Sequence, residues 1–129
     1  MTTSQKLRVL IAEDEVLVSM FLVDVVEDAG FEVVGVARTA DEAVELARQH
    51  SPDLALMDAN LKGGSTGLSA AETIVRDHDT AIVFISGDSG LADDPGVAAL
   101  KPAAIVEKPC MPDELTEVLH RAAARCRTA

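Results

Sequence analysis

Five short apolar runs alternate along the chain with segments of helical length. The runs are LRVLIA from Leu7, EVVGVA from Glu32, DLALMD from Asp53, AIVFIS from Ala81 and AAIVE from Ala103. Most of them are nearly continuous in aliphatic residues, which is typical of strands that are covered on both faces of a parallel sheet. The pattern therefore predicts five strands of one parallel sheet.

The segments between these runs carry apolar residues at helical spacing. The first, from about Glu15 to Ala29, is followed by Gly30, a residue typical of helix ends. The second begins with TADE, which has the spacing of a capping box. A third helix is predicted near Gly67 to His78, and a last one from Pro112, where early acidic and late basic residues suit the helix dipole.

The segment GDSGLADDPGVAAL, between the fourth and fifth runs, is the weakest helical candidate. Gly90, Pro95 and Gly96 all oppose a regular helix there, so we expect a fourth helix that is short or irregular. The β-α alternation, repeated five times, predicts an α/β fold. We expect a flavodoxin-like, doubly wound parallel sheet of five strands in the order 2-1-3-4-5, with five helices.

The length of the chain, 129 residues, fits a single domain over residues 1–129. No apolar run approaches the ~18 residues needed to cross a bilayer. The N-terminal MTTSQK also lacks the apolar stretch of a secretory signal, so we expect a soluble, cytoplasmic protein that does not bind membranes. Cys110 and Cys126 show neither metal-ligand spacing nor a disulfide framework.

The charge balance bears on the partners that the chain can bind. Eleven Lys and Arg residues against 22 Asp and Glu residues give a formal charge of −11. Such a charge repels the phosphate backbone of nucleic acid, and an aromatic content of only 2% offers no stacking platform for bases. We therefore expect no direct binding to nucleic acid.

Acidic residues follow the first and third predicted strands. Glu13 and Asp14 end the first run, and Asp58 ends the third, so the three would converge beyond the point where the winding of the sheet reverses. Carboxylates held this close repel one another, and a divalent cation offsets that repulsion. Hard oxygen ligands with room for water suit Mg²⁺. The next acid, Glu15, is predicted to lie in the first helical turn.

The fourth and fifth strands bring a hydroxyl and an ammonium group to the same edge of the sheet. Ser86 and Gly87 follow the fourth strand, and Lys108 follows the fifth. A hydroxyl, an ammonium group and a metal around one carboxylate form a binding site for an incoming phosphoryl group, with Asp58 as the nucleophile. Each residue alone has an ordinary explanation as a turn residue or a solvated charge, but those explanations do not account for the whole set.

With these residues at the ends of the expected strands, the chain resembles the receiver domain of two-component response regulators. The resemblance covers essentially the whole chain and rests on Glu13–Asp14, Asp58, Ser86–Gly87 and Lys108–Pro109. It implies a single-domain response regulator of a phosphorelay. Asp58 would accept a phosphoryl group from the phosphohistidine of a sensor histidine kinase or a phosphotransfer protein.

The resemblance also implies a set of metal ligands. Mg²⁺ would be held by Asp14 and Asp58, by Glu13 largely through water, and by the backbone carbonyl of Asn60. The only chemistry expected of the chain is Mg²⁺-dependent self-phosphorylation and self-dephosphorylation, so we do not expect an enzyme. Its signal would pass through protein contacts, on the face of helix four, strand five and helix five.

Further roles follow from the same resemblance. Lys108 would pair with the phosphoryl oxygens, Ser86 would close on them, and the bond between Lys108 and Pro109 would be cis. A second Lys-Pro pair, Lys101–Pro102, precedes the fifth strand and is expected at the opposite edge of the sheet.

The chain departs from the family in two places. Receivers carry Tyr or Phe three residues before the lysine, where this chain has Ile105. The loop NLKGGSTG after Asp58 has an extra glycine, so we expect higher flexibility there. These departures lead to the hypothesis that activation orders the Ser86 loop and helix four, and does not turn an aromatic side chain.

Three other functions are alternatives to a receiver. A phosphatase of the haloacid-dehalogenase type would place a D-x-D pair after strand one, where this chain has EDE. A flavodoxin-like cofactor binder would need an anion-accepting loop at that position, which AEDEV would repel. The third is a receiver-like adaptor that is never phosphorylated.

Overall fold

A computed structural model describes residues 6–61, 67–87 and 90–127 of the chain. The loop after Asp58 for which we predict higher flexibility falls on residues 62–66, outside the described residues. Strands and helices alternate in the order β1 (Arg8–Ala12), α1 (Val16–Asp28), β2 (Glu32–Ala37), α2 (Ala40–His50), β3 (Leu54–Asp58), α3 (Gly67–Asp77), β4 (Ala81–Ser86), α4 (Pro95–Leu100), β5 (Ala104–Glu107) and α5 (Pro112–Arg127).

The five strands form one parallel sheet in the order β2-β1-β3-β4-β5. β1 pairs with β3 from Val9 opposite Leu54 to Ala12 opposite Met57, so these two strands are neighbours at the point where the winding reverses. The predicted doubly wound fold is therefore confirmed.

Helices cover both faces of the sheet, which explains why its strands are almost continuously apolar. Successive residues of a strand point to opposite faces, so Leu10 belongs to one buried cluster and Ile11 to the other. The first cluster includes residues of α2, α3 and α4, and the second includes residues of α1 and α5. The sheet is thus a buried, rigid platform for the residues at its edge.

Two helix starts differ in detail from the prediction. Glu15 is the N-cap of α1 and makes no side-chain capping bond, so the expectation that it lies in the first turn was wrong by one residue. In α2, Thr39 accepts a hydrogen bond from the Glu42 N–H at 3.1 Å, as a capping box requires. The Glu42 carboxylate, however, accepts from the N–H of Arg38 at 2.6 Å, one residue earlier than in the usual motif.

The fourth helix is short, as predicted. It has six residues and follows a single 3₁₀ turn at Leu91–Asp93. Pro95 does not break this helix, because it occupies the first turn, where a backbone N–H is not needed. The N-cap Asp94 accepts a hydrogen bond from the Gly96 N–H at 2.8 Å. The helix ends at Lys101, whose φ of +52° is left-handed and cannot continue it.

Because all strands are parallel, their carboxyl ends lie along one edge of the sheet. Asp58 and Ser86 are the last residues of β3 and β4, and Glu13 directly follows β1. In the described part of the chain, no helix is long and apolar enough to span a membrane.

Candidate functional site

Backbone hydrogen bonds hold the candidate residues at this edge of the sheet. The Glu13 N–H donates to the Ala37 carbonyl at 2.9 Å, and the Lys108 N–H donates to the Ser86 carbonyl at 2.8 Å. The Ala59 N–H, directly after Asp58, donates to the Ile85 carbonyl at 3.0 Å. The backbone pairing of β1, β3 and β5 therefore continues for one residue beyond the end of the strand. This fixes the backbone positions from which the side chains project.

Three carboxylates meet at the centre of the site. Each of the three side chains has a carboxylate oxygen within 4.8 Å of a carboxylate oxygen of the other two: Glu13, Asp14 and Asp58. Glu13 is fully buried and Asp58 is 4% exposed. Glu13 Oε2 accepts from the Glu15 N–H at 3.1 Å, and Asp58 Oδ1 accepts from the Asn60 N–H at 2.9 Å. The sequence thus predicted correctly which acids come together.

The ammonium group of Lys108 lies between two of these carboxylates. Its Nζ donates to Asp58 Oδ2 at 3.1 Å and lies 3.3 Å from Glu13 Oε1. The contact with Glu13 is an ion pair, and the buried Oε1 meets the geometry of a hydrogen bond with no described residue. The bond between Lys108 and Pro109 is cis.

Burial and charge shift the protonation equilibria of this group. Burial raises the pKa of Glu13, the Glu15 N–H lowers it, and the negative charge of Asp58 raises it again; the net effect is a raised pKa. Burial lowers the pKa of Lys108, but the hydrogen bond to Asp58 and the attraction of both carboxylates outweigh this, so its pKa is raised. The lysine is therefore cationic at neutral pH, whereas the ionisation of Glu13 is less favourable than that of an exposed glutamate.

The residues present fit a hard divalent cation. The cluster offers only carboxylate oxygens, and the orphaned Glu13 Oε1 is a buried acceptor for which a metal-bound water is a suitable partner. One lysine does not neutralise three carboxylates, so an additional positive charge would lower the remaining repulsion. Mg²⁺, which binds through one or two carboxylates and keeps several waters, matches this donor set.

We expect Glu13→Gln to stabilise the metal-free protein by about 1 kcal/mol, because a neutral amide removes a buried charge whose ionisation is disfavoured. The same change should weaken Mg²⁺ binding. Urea unfolding with and without Mg²⁺ measures both effects. Glu15→Gln is the control, since Glu15 is exposed, and should change neither. A destabilised metal-free Glu13→Gln variant would contradict this account of the site.

Ser86, Gly87 and Ile105 lie in different environments. Ser86 is fully buried at the end of β4, and the adjacent Gly87 is exposed. Among the described residues other than its chain neighbours, no atom lies within 4 Å of the place where a Cβ of Gly87 would lie. Ile105 lies in β5 and packs, partly buried, against the cluster that contains Phe84 and Val97.

Sequence reasoning missed one residue of the site, Gly67, which it assigned only to a helix start. An added Cβ at this position would lie 2.0 Å from the Asp58 carbonyl oxygen and 2.9 Å from the Cα of Ala59. The Gly67 N–H also donates to the Ala59 carbonyl at 3.2 Å. The first turn of α3 thus lies directly on the backbone that carries Asp58. A glycine at the start of a predicted helix does not by itself indicate such a contact.

Comparison with known proteins assigns the family. A sequence profile of the response regulator receiver domain matches residues 9–120. The chain belongs to the receiver-domain family of response regulators. It is similar to the phyllosphere-induced regulator PhyR of Methylorubrum extorquens, with 35% identity over 117 residues, which are 88% of this chain and 42% of PhyR. This receiver therefore spans less than half the length of that relative.

One further protein and one solved receiver domain are similar over almost their whole length. The chemotaxis protein CheY of Thermotoga maritima is 30% identical over 116 residues, which cover 88% of this receiver and 95% of CheY. The solution structure of the receiver domain of PhyR from Erythrobacter litoralis superposes with a TM-score of 0.82 at 33% identity, covering 92% of this chain and 91% of that one. The family assignment places the chain in two-component signalling and favours a receiver over the phosphatase and the cofactor binder.

Proposed function

We propose that this receiver is a Mg²⁺-dependent phosphoacceptor that is phosphorylated on Asp58 by a phosphohistidine protein. The observation that carries the proposal is the position of Lys108 Nζ, 3.1 Å from Asp58 and 3.3 Å from Glu13, beside three clustered carboxylates. With a divalent cation bound beside Lys108, such a site would accept a group that brings further negative charge. The protein itself would act on no other substrate, and it would work in the cytoplasm.

The transfer needs an attacking oxygen, a positively charged surrounding and a leaving group. A carboxylate oxygen of Asp58 would attack the phosphorus of the phosphohistidine and form a P–O bond while the P–N bond breaks. The bonding electron pair would go to the imidazole nitrogen, which then takes a proton from water. The ammonium group of Lys108 would stabilise the negative charge that develops on the phosphoryl oxygens. Ser86, at the end of β4, would supply a hydroxyl group.

The cation would be held by the carboxylates of Glu13, Asp14 and Asp58, together with the backbone carbonyl of Asn60. When bound, Mg²⁺ supplies positive charge that offsets the repulsion between the carboxylates and the phosphoryl oxygens. The chain itself positions the nucleophile through the Asn60 N–H and the Ala59 N–H, which hold the side chain and the backbone of residue 58.

Exposed apolar side chains beside the site support a protein as the phosphoryl donor. Leu17 is 80% exposed and Met20 58% exposed on α1, and Met111 is 66% exposed after β5. Leu17 lines an apolar groove of about 600 Å³ together with Phe21, Pro109 and Cys110. Met20 lies on the same helix, and Met111 directly follows Cys110. An apolar patch at the rim of a charged site is typical of a docking surface, and we assign it to the donor that carries the phosphohistidine. The output would use the face of α4, β5 and α5.

The test uses acetyl phosphate, a small donor that needs no docking surface. With Mg²⁺, the wild-type protein should gain the mass of one phosphoryl group, and Asp58→Asn should gain none. Asp79→Asn, which removes an exposed aspartate before β4, should behave as wild type. Intact-mass spectrometry gives the readout. A wild-type protein that stays unmodified would instead support the adaptor that is never phosphorylated.

A further inference from the structure

The start of α3 is in contact with the backbone of the proposed phosphoacceptor. Because Gly67 has no Cβ, the helix backbone lies against the carbonyl group of Asp58, at a distance that any other residue would prevent. The bond from the Gly67 N–H to the Ala59 carbonyl, at 3.2 Å, ties the same two segments together. A displacement of the backbone at Asp58 or Ala59 must therefore move the first turn of α3.

The next residue of α3 contacts α4. Leu68 packs against the buried cluster on the α2, α3 and α4 side, which also contains Val97 of α4. A Cβ added at Gly96 would lie 3.1 Å from Leu68 Cδ2, so the Leu68 side chain occupies the space that a larger residue at position 96 would fill. The absence of a side chain at Gly67 thus lets α3 lie against the backbone of Asp58. The absence of a side chain at Gly96 lets α4 lie against Leu68 of α3.

β5 offers a weaker connection between the site and α4. Ile105 lies in the same cluster, partly buried, and is an aliphatic residue without a ring or a hydroxyl group. Its branched side chain has few alternative rotamers and carries no polar group that could follow the phosphoryl group. The path through Leu68 starts at the preceding residue, Gly67, which lies against the backbone of Asp58 itself, so it responds to a change at that residue.

We infer that α3 transmits the state of Asp58 to α4 through Gly67 and through the contact of Leu68 with Gly96. The inference rests on the proposed function, since it assumes that Asp58 is phosphorylated. A phosphoryl group on this buried carboxylate adds charge and volume, and the packed backbone next to it must adjust. α4 is the short helix of the output face, so its displacement would change the surface that a partner contacts.

The experiment compares backbone amide NMR shifts of Val97 and Leu100 with and without Mg²⁺ and beryllofluoride, a stable mimic of the phosphoryl group. In the wild-type protein both shifts should change on binding. Leu68→Ala should still bind beryllofluoride, but most of the change in α4 should be lost. Leu68→Met keeps the apolar volume with a more flexible side chain, and the change should be reduced. Ile105→Ala, the matched control, removes the same number of carbon atoms from the same cluster, and the wild-type change should remain.

The outcomes separate the inference from the function on which it rests. If the wild-type protein shows no Mg²⁺-dependent binding of beryllofluoride, the proposed function fails and the inference fails with it. If it binds, and both Leu68 variants show an undiminished change in α4, only the inference is overturned. In a third outcome, the amide shift change in α4 is lost in Ile105→Ala and kept in Leu68→Ala. That result would show that β5 connects the site to α4, and it would overturn the inference.

Discussion

Lys108→Ala is expected to lower the free energy of unfolding of the metal-free protein by about 2–3 kcal/mol. Among the described residues, Lys108 is the cation that contacts Asp58 and Glu13. Without it, two buried carboxylates lie close together with no positive charge between them. The expected loss is smaller than for a fully buried pair, because the lysine side chain is 27% exposed. Urea unfolding monitored by circular dichroism measures it.

Mg²⁺ should restore part of the stability that Lys108→Ala loses, because a bound cation replaces some of the missing positive charge and binds only the folded site. Lys101→Ala is the matched control. Lys101 also precedes a proline, but its side chain is exposed. It lies before the start of β5, whereas Lys108 and the carboxylates lie at the opposite end of the strands. Its stability should stay within about 0.5 kcal/mol of wild type, with or without Mg²⁺. Equal losses in the two variants would show that Lys108 does not stabilise the acidic cluster.

Gly67→Ala is expected to destabilise the protein by about 3 kcal/mol or more. The new Cβ would lie 2.0 Å from the carbonyl oxygen of Asp58, a contact that requires backbone to move, because no flexible side chain is there to give way. The folded fraction of the variant should also accept a phosphoryl group from acetyl phosphate more slowly, since Asp58 would be displaced. Thermal unfolding and intact-mass spectrometry measure these two effects.

Gly87→Ala separates this contact from a general effect of replacing glycine near the site. In the described part of the chain, no atom other than those of its chain neighbours lies within 4 Å of a Cβ at Gly87, and its φ is not left-handed. The stability should therefore change by no more than about 0.5 kcal/mol. If Gly67→Ala were as stable as Gly87→Ala, the first turn of α3 could not be packed on the Asp58 backbone as described.

The sequence was sufficient to predict the sheet and the central charged residues. Strands covered on both faces leave continuous apolar runs, and parallel strands end at one edge, so residues that follow separate runs must meet. This reasoning predicts that Glu13, Asp14 and Asp58 lie close to Lys108, as they do in the structure. The short fourth helix was also predictable, because glycine and proline act locally on the backbone.

The remaining features depend on contacts between distant segments, which leave no pattern in the sequence. A glycine at position 67 looks like many other glycines at helix starts, and only the structure shows that it faces the carbonyl of Asp58. The exposure of Leu17 and Met20 on α1 was likewise not predictable, because apolar residues on an amphipathic helix are usually buried. The start of α1 was misplaced by one residue because a glutamate is favoured in a first turn and not at an N-cap, where Glu15 makes no capping bond.

The measurement that tests the central claim most directly is the chemical identification of an acyl phosphate on Asp58. Borohydride reduces an acyl phosphate to an alcohol and releases phosphate, so a phosphorylated aspartate becomes homoserine. After treatment with acetyl phosphate and Mg²⁺ followed by borohydride, peptide mass spectrometry should find homoserine at position 58, and removal of Mg²⁺ should abolish it. Homoserine at another aspartate, or equal amounts with and without Mg²⁺, would contradict the assignment of Asp58 as a metal-dependent phosphoacceptor.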